Sequence, residues 1–549
     1  MRKRRLDTWQ IISFVILGLY ALFLILPMFQ LLRSSVVDAD GNTSLAYYQE
    51  FFSKKSYYGT LLNSFAVSAC VTVCALVIGT LFAYFYTTFK MKGKALLQTV
   101  AILSCMSPPV IGAYSWIQMF GNAGIVTKFI KASFGVRLPS IYGFGGIVIV
   151  ITCSLYPLVF LYVNGALKNI DNSLIEASSG LGCGSFKRFF KVVLPLCMPT
   201  LLAAGLLVFM RAFADFSTPL LIGKGYQTFP VLIYNRFVGE TSTNHNFASA
   251  ISVIGIVVTA AIFLVQKFAT TRFTFTMNAL HPIEVHRPKT LTSVLIHLYC
   301  YLVAFIAFLP QLFVAWQSFR KCNGNVFLDG YSLDSYTEAF KKILKRSLPN
   351  TFSIGITALL VVILLAVLIA YLVVRRRGAV NQVIDTLSMV PYIIPGAVVG
   401  IALVVTFNDG PMVLTGTAAI MVIALIIRRL PYTIRSSVAI LQQIPMSIEE
   451  AAISLGCSKM KAFFLVTVPM MANGIMSGAI ISWITIITEL STAIILYSVK
   501  TETMTLTIYS LVVQGYDGTA SAVATILLCV TTVSLLLFMK FSKNKDLAF

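Results

Sequence analysis

Apolar residues in this chain run on for long stretches, without the two-residue alternation of a half-buried strand or the single stripe of a soluble helix. About 20 mostly apolar residues cross a bilayer as one helix, because a helix bonds its backbone groups internally where no water can. Runs of that kind lie near residues 10–32, 60–88, 95–120, 142–164, 195–222, 247–267, 291–315, 351–374, 382–407, 412–434, 468–497 and 519–540. The pattern predicts an all-α membrane protein with twelve transmembrane helices. The first run follows Met1-Arg2-Lys3-Arg4-Arg5, outlasts a signal-peptide core and has no small-residue cleavage site behind it, so it is expected to remain as a span.

The polar segments between the runs set the orientation. Counted over alternate segments with the N-terminus inside, 26 Lys and Arg fall inside and 15 outside, six of the latter in one long loop, 320–346. The positive-inside bias therefore predicts that both termini are cytoplasmic. The same segments hold a repeat. Residues 173–195, SLIEASSGLGCGSFKRFFKVVLP, align without a gap to 447–469, SIEEAAISLGCSKMKAFFLVTVP, with 11 of 23 positions identical. The offset of 274 also carries Pro157 to Pro431 and Asp215-Phe216-Ser217-Thr218 to Glu489-Leu490-Ser491-Thr492. Asn63 and Ala83-Tyr84 match Asn350 and Ala370-Tyr371 at an offset of 287, so the first half holds 13 extra residues, expected in the loop around 122–141. Two six-span halves follow, 1–269 and 291–549, joined by a cytoplasmic linker at 270–290. Six is even, so the halves enter the membrane in the same sense, as parallel copies about a pseudo-two-fold along its normal.

Composition narrows the function classes. Of 549 residues, 58% are hydrophobic and 11% charged, with 42 Lys and Arg against 20 Asp and Glu, a net charge of +22. Soluble domains average about 25% charged residues, which excludes a soluble enzyme and a disordered chain. The basic residues stand in short clusters between apolar runs and not on one polar face, so the expected partner is the lipid bilayer and not nucleic acid. The ten cysteines are scattered without a CxxC pair, and His245, His281, His286 and His297 lack the spacing of a helical metal site. No disulfide framework and no metal site is expected; most of the cysteines, several of them (Cys70, Cys74, Cys105 and Cys153) within apolar runs, read as buried small apolar residues. Gly93-Lys94 and Gly223-Lys224 are followed by Ala95 and Gly225, so no GxxxxGK[ST] phosphate cradle occurs. The chain is not expected to be an enzyme or to hold a cofactor.

In each copy of the repeated loop a serine precedes a glutamate by three residues, Ser173 with Glu176 and Ser447 with Glu450. That is capping-box spacing and predicts a helix start. Gly182 and Gly456 permit a sharp turn that a Cβ would resist, and Phe189-Phe190 and Phe463-Phe464 with their neighbouring lysines predict an amphipathic second helix leading to Pro195 or Pro469. A capped loop can simply be ordered, but two related knobs on one membrane face suit a two-fold symmetric soluble partner. Within the spans, Asp215 and Glu489 stand at equivalent positions, each followed by Ser-Thr. A carboxylate there is costly unless paired or wetted. Arg211 precedes Asp215 by four residues and can pair with it, whereas Thr485 stands at the matching place before Glu489, leaving that acid without such a partner. Arg211, Asp215 and Glu489 are the candidates for a substrate path or gate.

Glu176-Ala177-Ser178 with Gly182, Phe189 and Leu194-Pro195, and Glu450-Ala451-Ala452 with Gly456, Phe463 and Val468-Pro469, resemble the EAA loop of permease subunits of binding-protein-dependent ABC importers. Ser178 and Val468 are small departures from that pattern. The resemblance covers nearly the whole chain as two fused permease domains. It implies that Ser173, Glu176, Ala177, Gly182, Ser447, Glu450, Ala451 and Gly456 form coupling helices seated in clefts of two copies of an ATPase subunit. That partner would use ATP and Mg, and an external binding protein would deliver the substrate across a bacterial cytoplasmic (inner) membrane. The stretch from Ala214 to Leu221 resembles the ferric iron permeases; a small anion or phosphonate, a sugar phosphate, and thiamine or a polyamine stay open. Twelve spans in two parallel halves also fit an ion-coupled carrier of the major facilitator type; the paired EAA loops favour the importer, and an uncoupled channel or scaffold is the third reading.

Overall fold

The computed structural model describes residues 7–37, 41–239, 245–272, 281, 284–287, 290–376 and 378–541. Helix dominates, with one short hairpin, Arg320–Asn323 and Val326–Tyr331, in the long polar loop. Among the described residues nine helices are long and apolar enough to cross a membrane, and two bent pairs bring the number to eleven. The helix Ala418–Gln443, over the expected span 412–434, carries Arg428, Arg429 and Arg435.

Two of the expected spans are not straight. Residues 95–120 form Lys94–Met106 and Pro109–Phe120, turned by 98°, and 382–407 form Ala379–Ile393 and Gly396–Phe407, turned by 111°. Proline explains both breaks. A residue before proline is pushed out of the α region, and Ser107 before Pro108 has ψ 140° while Ile394 before Pro395 has ψ 129°. The expected spans 195–222 and 468–497 also stop early, at Phe213 and Ile487, each followed by a short separate helix, Ser217–Ile222 or Ala493–Leu496.

Helix boundaries follow the sequence repeat. The larger of the two offsets carries the ends of Lys55–Thr88, Lys94–Met106 and Pro109–Phe120 onto those of Leu344–Arg375, Ala379–Ile393 and Gly396–Phe407. The smaller offset carries the starts of Phe144–Lys168, Asn172–Gly180 and Leu194–Phe213 onto those of Ala418–Gln443, Met446–Ser454 and Val468–Ile487. The extra residues of the first half lie in 121–143, where the helix Ile125–Phe134 has no counterpart in 408–417.

The chain packs as two compact units that cross the sequence halves. One holds Met1–Phe52, Ile233–Val257 and Lys321–Ala548; the other holds Ser53–Leu232 and Val258–Arg320. In the first, the span Thr8–Ser35 packs among spans of the second repeat: Ser13 Oγ donates to Asn381 Oδ1 at 2.8 Å and Phe23 meets Phe407 at 5.9 Å. In the second, Thr290–Gln317 packs among spans of the first repeat, with Tyr299 Oη donating to the Ile78 carbonyl at 3.0 Å. Packing units and repeat units therefore differ by the first helix of each half and by the segment Ile233–Val257, which belongs to the first half in sequence and packs with the second repeat. Of the expected linker, His281 and residues 284–287 are described: His286 pairs with the backbone at Thr88 and Lys90. Close helix contact rests on small residues, as usual in membranes: a Cβ on Gly79 would lie 2.6 Å from that of Val159. Most of the cysteines are not buried as expected: Cys197 and Cys300 are, but Cys70, Cys74 and Cys529 are exposed and the other five, Cys105 and Cys153 among them, are intermediate.

Candidate functional site

Both copies of the repeated loop fold as helix, turn and helix. The first helix begins two residues earlier than the serine spacing predicts, so the expected capping boxes do not form. Asp171 caps Asn172–Gly180, its carboxylate accepting from the Ser173 N–H at 2.9 Å. Pro445, with φ already at −61°, starts Met446–Ser454. Ser173 and Ser447 thus lie inside the first turn, and Glu176 accepts from Asn172 Nδ2 at 2.7 Å. Asp171 also accepts from the His281 N–H at 3.2 Å, which ties the linker to the first loop.

The turn is the same in both copies. Gly182 has φ +76° and Gly456 φ +95°, in the left-handed region that favours glycine. Gly182 N–H donates to the Ser179 carbonyl and Cys183 N–H to Ser178; Gly456 and Cys457 repeat this to Ile453 and Ala452. That is a Schellman ending, which satisfies the last carbonyls of the helix. After it, Ser185–Arg188 and Lys459–Ala462 run into π-turns, Phe189–Val193 and Phe463–Thr467. Pro195 and Pro469 follow two residues on and have no N–H for the α-helical bond, so the ladder widens there.

The loops present one face outward and anchor the other. Ser173, Glu176, Ala177, Gly182, Ser447, Glu450, Ala451 and Gly456 are all exposed. Leu181 and Leu455, at equivalent positions beside the glycines, are each 88% exposed. On the inner side, Phe189 packs on Tyr84 at 4.7 Å and Phe463 on Tyr371 at 4.8 Å. The second loop has an extra tie that the sequence reading missed. Glu449, one residue before the exposed Glu450, is buried and accepts from Tyr371 Oη at 2.5 Å. Trp9 packs on the same Tyr371 at 4.4 Å and on Phe463 at 5.0 Å. The matching residue in the first loop is Ile175, and that mismatch within an otherwise similar repeat was the available signal.

The acids in the spans are held differently from expectation. Glu489 is not without a partner. Arg428 Nη1 lies 2.5 Å from its Oε1, and Arg429 Nη2 bonds its Oε2. Ser491 Oγ and the Thr492 N–H also reach Oε1, at 2.7 and 3.1 Å, and Arg428 Nη1 donates onward to Ser491 and Thr492 at 2.8 and 2.9 Å. Both arginines come from the preceding span, Ala418–Gln443, beyond the reach of a one-turn spacing rule. Asp215 accepts from Thr218, from its N–H at 3.2 Å and its hydroxyl at 2.9 Å. Arg211 lies one turn earlier, near the end of Leu194–Phe213.

Two stretches, 75–275 and 339–544, match the model of the family described as binding-protein-dependent transport system inner membrane component. The chain belongs to that family. Each match contains one whole copy of the repeated loop, so this inner membrane component is two permease domains in one polypeptide and acts as the permease of an ABC importer. It is 29% identical over 485 residues to the ferric transport system permease protein of Actinobacillus pleuropneumoniae, covering 87% of this chain and 70% of that protein. An Fe(3+)-transport system permease protein of Haemophilus influenzae is 23% identical over 541 residues, covering 98% and 99%. Among solved structures, that of a bacterial ABC transporter that imports alginate aligns with TM-score 0.42 and 16% identity over 49% of this chain and 96% of that one.

Proposed function

We propose that this permease takes ferric iron, delivered by an external binding protein, into the cytoplasm by alternating access. In this reading twelve spans form two parallel six-helix halves about a pseudo-two-fold, with both termini cytoplasmic. Two copies of an ATPase subunit dock on the two loops, bind ATP and Mg, and pass their closure to the spans. The observation that carries the coupling role is the pair of identically turned loops, each exposing Glu, Ala and a leucine on the side opposite its aromatic anchor. Iron as cargo is supported by relatives named for ferric transport that align over most of this chain.

The buried Arg428–Arg429–Glu489 cluster gives the acids a different role from a bare metal-binding path. Glu489, held between Arg428 and Arg429 and bonded by Ser491 and Thr492, acts as a brace that holds Ala418–Gln443 against the short helix after Glu489. Asp215, carrying only hydroxyl and amide donors, is the acid left to meet a mobile charge.

Co-expression with an ATPase and binding protein tests the reading. The membrane complex is expected to retain two ATPase copies per permease, and iron-loaded binding protein is expected to stimulate ATP hydrolysis at least severalfold. Stimulation by a phosphonate-loaded binding protein alone would reassign the cargo, and a permease that binds no ATPase would overturn the coupling role.

A further inference from the structure

The two repeats differ at one niche. In the second, the Arg428 guanidinium fills a space bounded by Glu489, Ser491, Thr492 and Gly396, where a Cβ on Gly396 would strike both Arg428 and Ser491. In the first repeat Asp215, Ser217, Thr218 and Pro109 stand at the matching positions, but Ser154 replaces Arg428. Where one half holds a guanidinium, the other holds a cavity of about 30 Å³, lined by Asp215, Thr218, Ser154, Ser104, Ser107 and Gln311 among others. That volume admits one or two particles the size of water.

The polar part of a largely apolar lining offers acceptors to a cation. An ionised carboxylate only accepts. Thr218 donates its hydroxyl proton to Asp215 and Ser104 donates to the Val100 carbonyl at 2.9 Å, so both turn lone pairs to any further neighbour. The space is large enough for a monatomic ion or ammonium.

We propose that this cavity binds one small monovalent cation, Na⁺, K⁺ or NH₄⁺, which does for Asp215 what Arg428 does for Glu489. The inference stands on the two niches alone and is independent of the cargo.

The test is the thermal unfolding midpoint of the purified full chain in chloride salts of sodium, potassium, ammonium and choline at equal ionic strength. At least one small cation is expected to raise the midpoint saturably by about 2–4 °C over choline. Ser154→Arg, which supplies a tethered cation, and Asp215→Asn, which removes the charge to be matched, are each expected to abolish that difference. Should Ser154→Arg fail to fold, Asp215→Asn decides by itself. Equal midpoints of the wild-type protein in all four salts, or an ion effect that persists in Asp215→Asn, would overturn the proposal and leave the cavity to water.

Discussion

At the scale of the residue, the repeat located the acids but not their company. Glu489 was legible because the repeat offset carries Asp215 onto it, with the same Ser-Thr behind each. Its partners were not, because Arg428 and Arg429 approach through the fold from an earlier span, and side chains one turn apart on the same helix were the only neighbours a spacing rule could name. Breaking a buried ion pair by removing one member costs about 3–5 kcal/mol, whereas replacing every member with apolar residues is often neutral. Glu489→Leu is therefore expected to unfold well below the wild-type midpoint, and the triple variant Arg428→Met, Arg429→Leu, Glu489→Leu to recover most of the loss. Equal midpoints for the single and triple variants would contradict a brace. Glu449 makes a second prediction. Glu449→Gln keeps an acceptor for Tyr371, while Glu449→Ile copies the first loop and leaves the Tyr371 hydroxyl without it, at a cost of about 1–3 kcal/mol. Nucleotide-driven uptake is expected to fall several-fold in Glu449→Ile and to stay near wild type in Glu449→Gln.

Among the elements, hydropathy gave the rough extent of most apolar runs, because transfer free energy depends on composition and length; of the twelve expected spans, nine straight helices and two bent pairs qualify among the described residues. It gave no direction. Pro108 and Pro395 turn two runs through about a right angle, which a window average cannot register. The loop helices were legible from their pattern, and their glycine turns adopt the positive φ that the turn requires; the caps were misread, because Asp171 and Pro445 begin the helices before the serines can. Valine is strained at the positive φ that both glycines adopt. Gly456→Val and Gly182→Val are therefore expected to straighten or displace the outward leucines, with ATPase stimulation falling by tenfold or more while membrane insertion persists. Unchanged stimulation in both variants would show that the turn does not transmit force.

For the whole molecule, sequence established duplication but not neighbourhood. Nothing in an apolar run states which other run it touches, so the placement of Thr8–Ser35 among spans of the second repeat could not be read. It follows instead from particular contacts, Ser13 with Asn381 and Trp9 with Tyr371. Cysteines at positions 13 and 381, in a chain stripped of its native cysteines, are expected to cross-link with a short bifunctional reagent. No cross-link at normal membrane insertion would contradict the placement of the first span among those of the second repeat.

The most direct measurement of the account is ferric iron uptake into proteoliposomes holding the permease, its ATPase and the iron-loaded binding protein, compared between wild type and the double variant Glu176→Lys, Glu450→Lys. A lysine at each position puts the wrong charge on the docking face and, at 176, removes the acceptor of the Asn172 amide. Uptake by the wild type is predicted to require ATP hydrolysis, and the double variant, inserted at normal levels, to lose at least nine-tenths of it. Uptake driven by an ion gradient without ATP, or full uptake by the double variant, would contradict an importer coupled through these two loops.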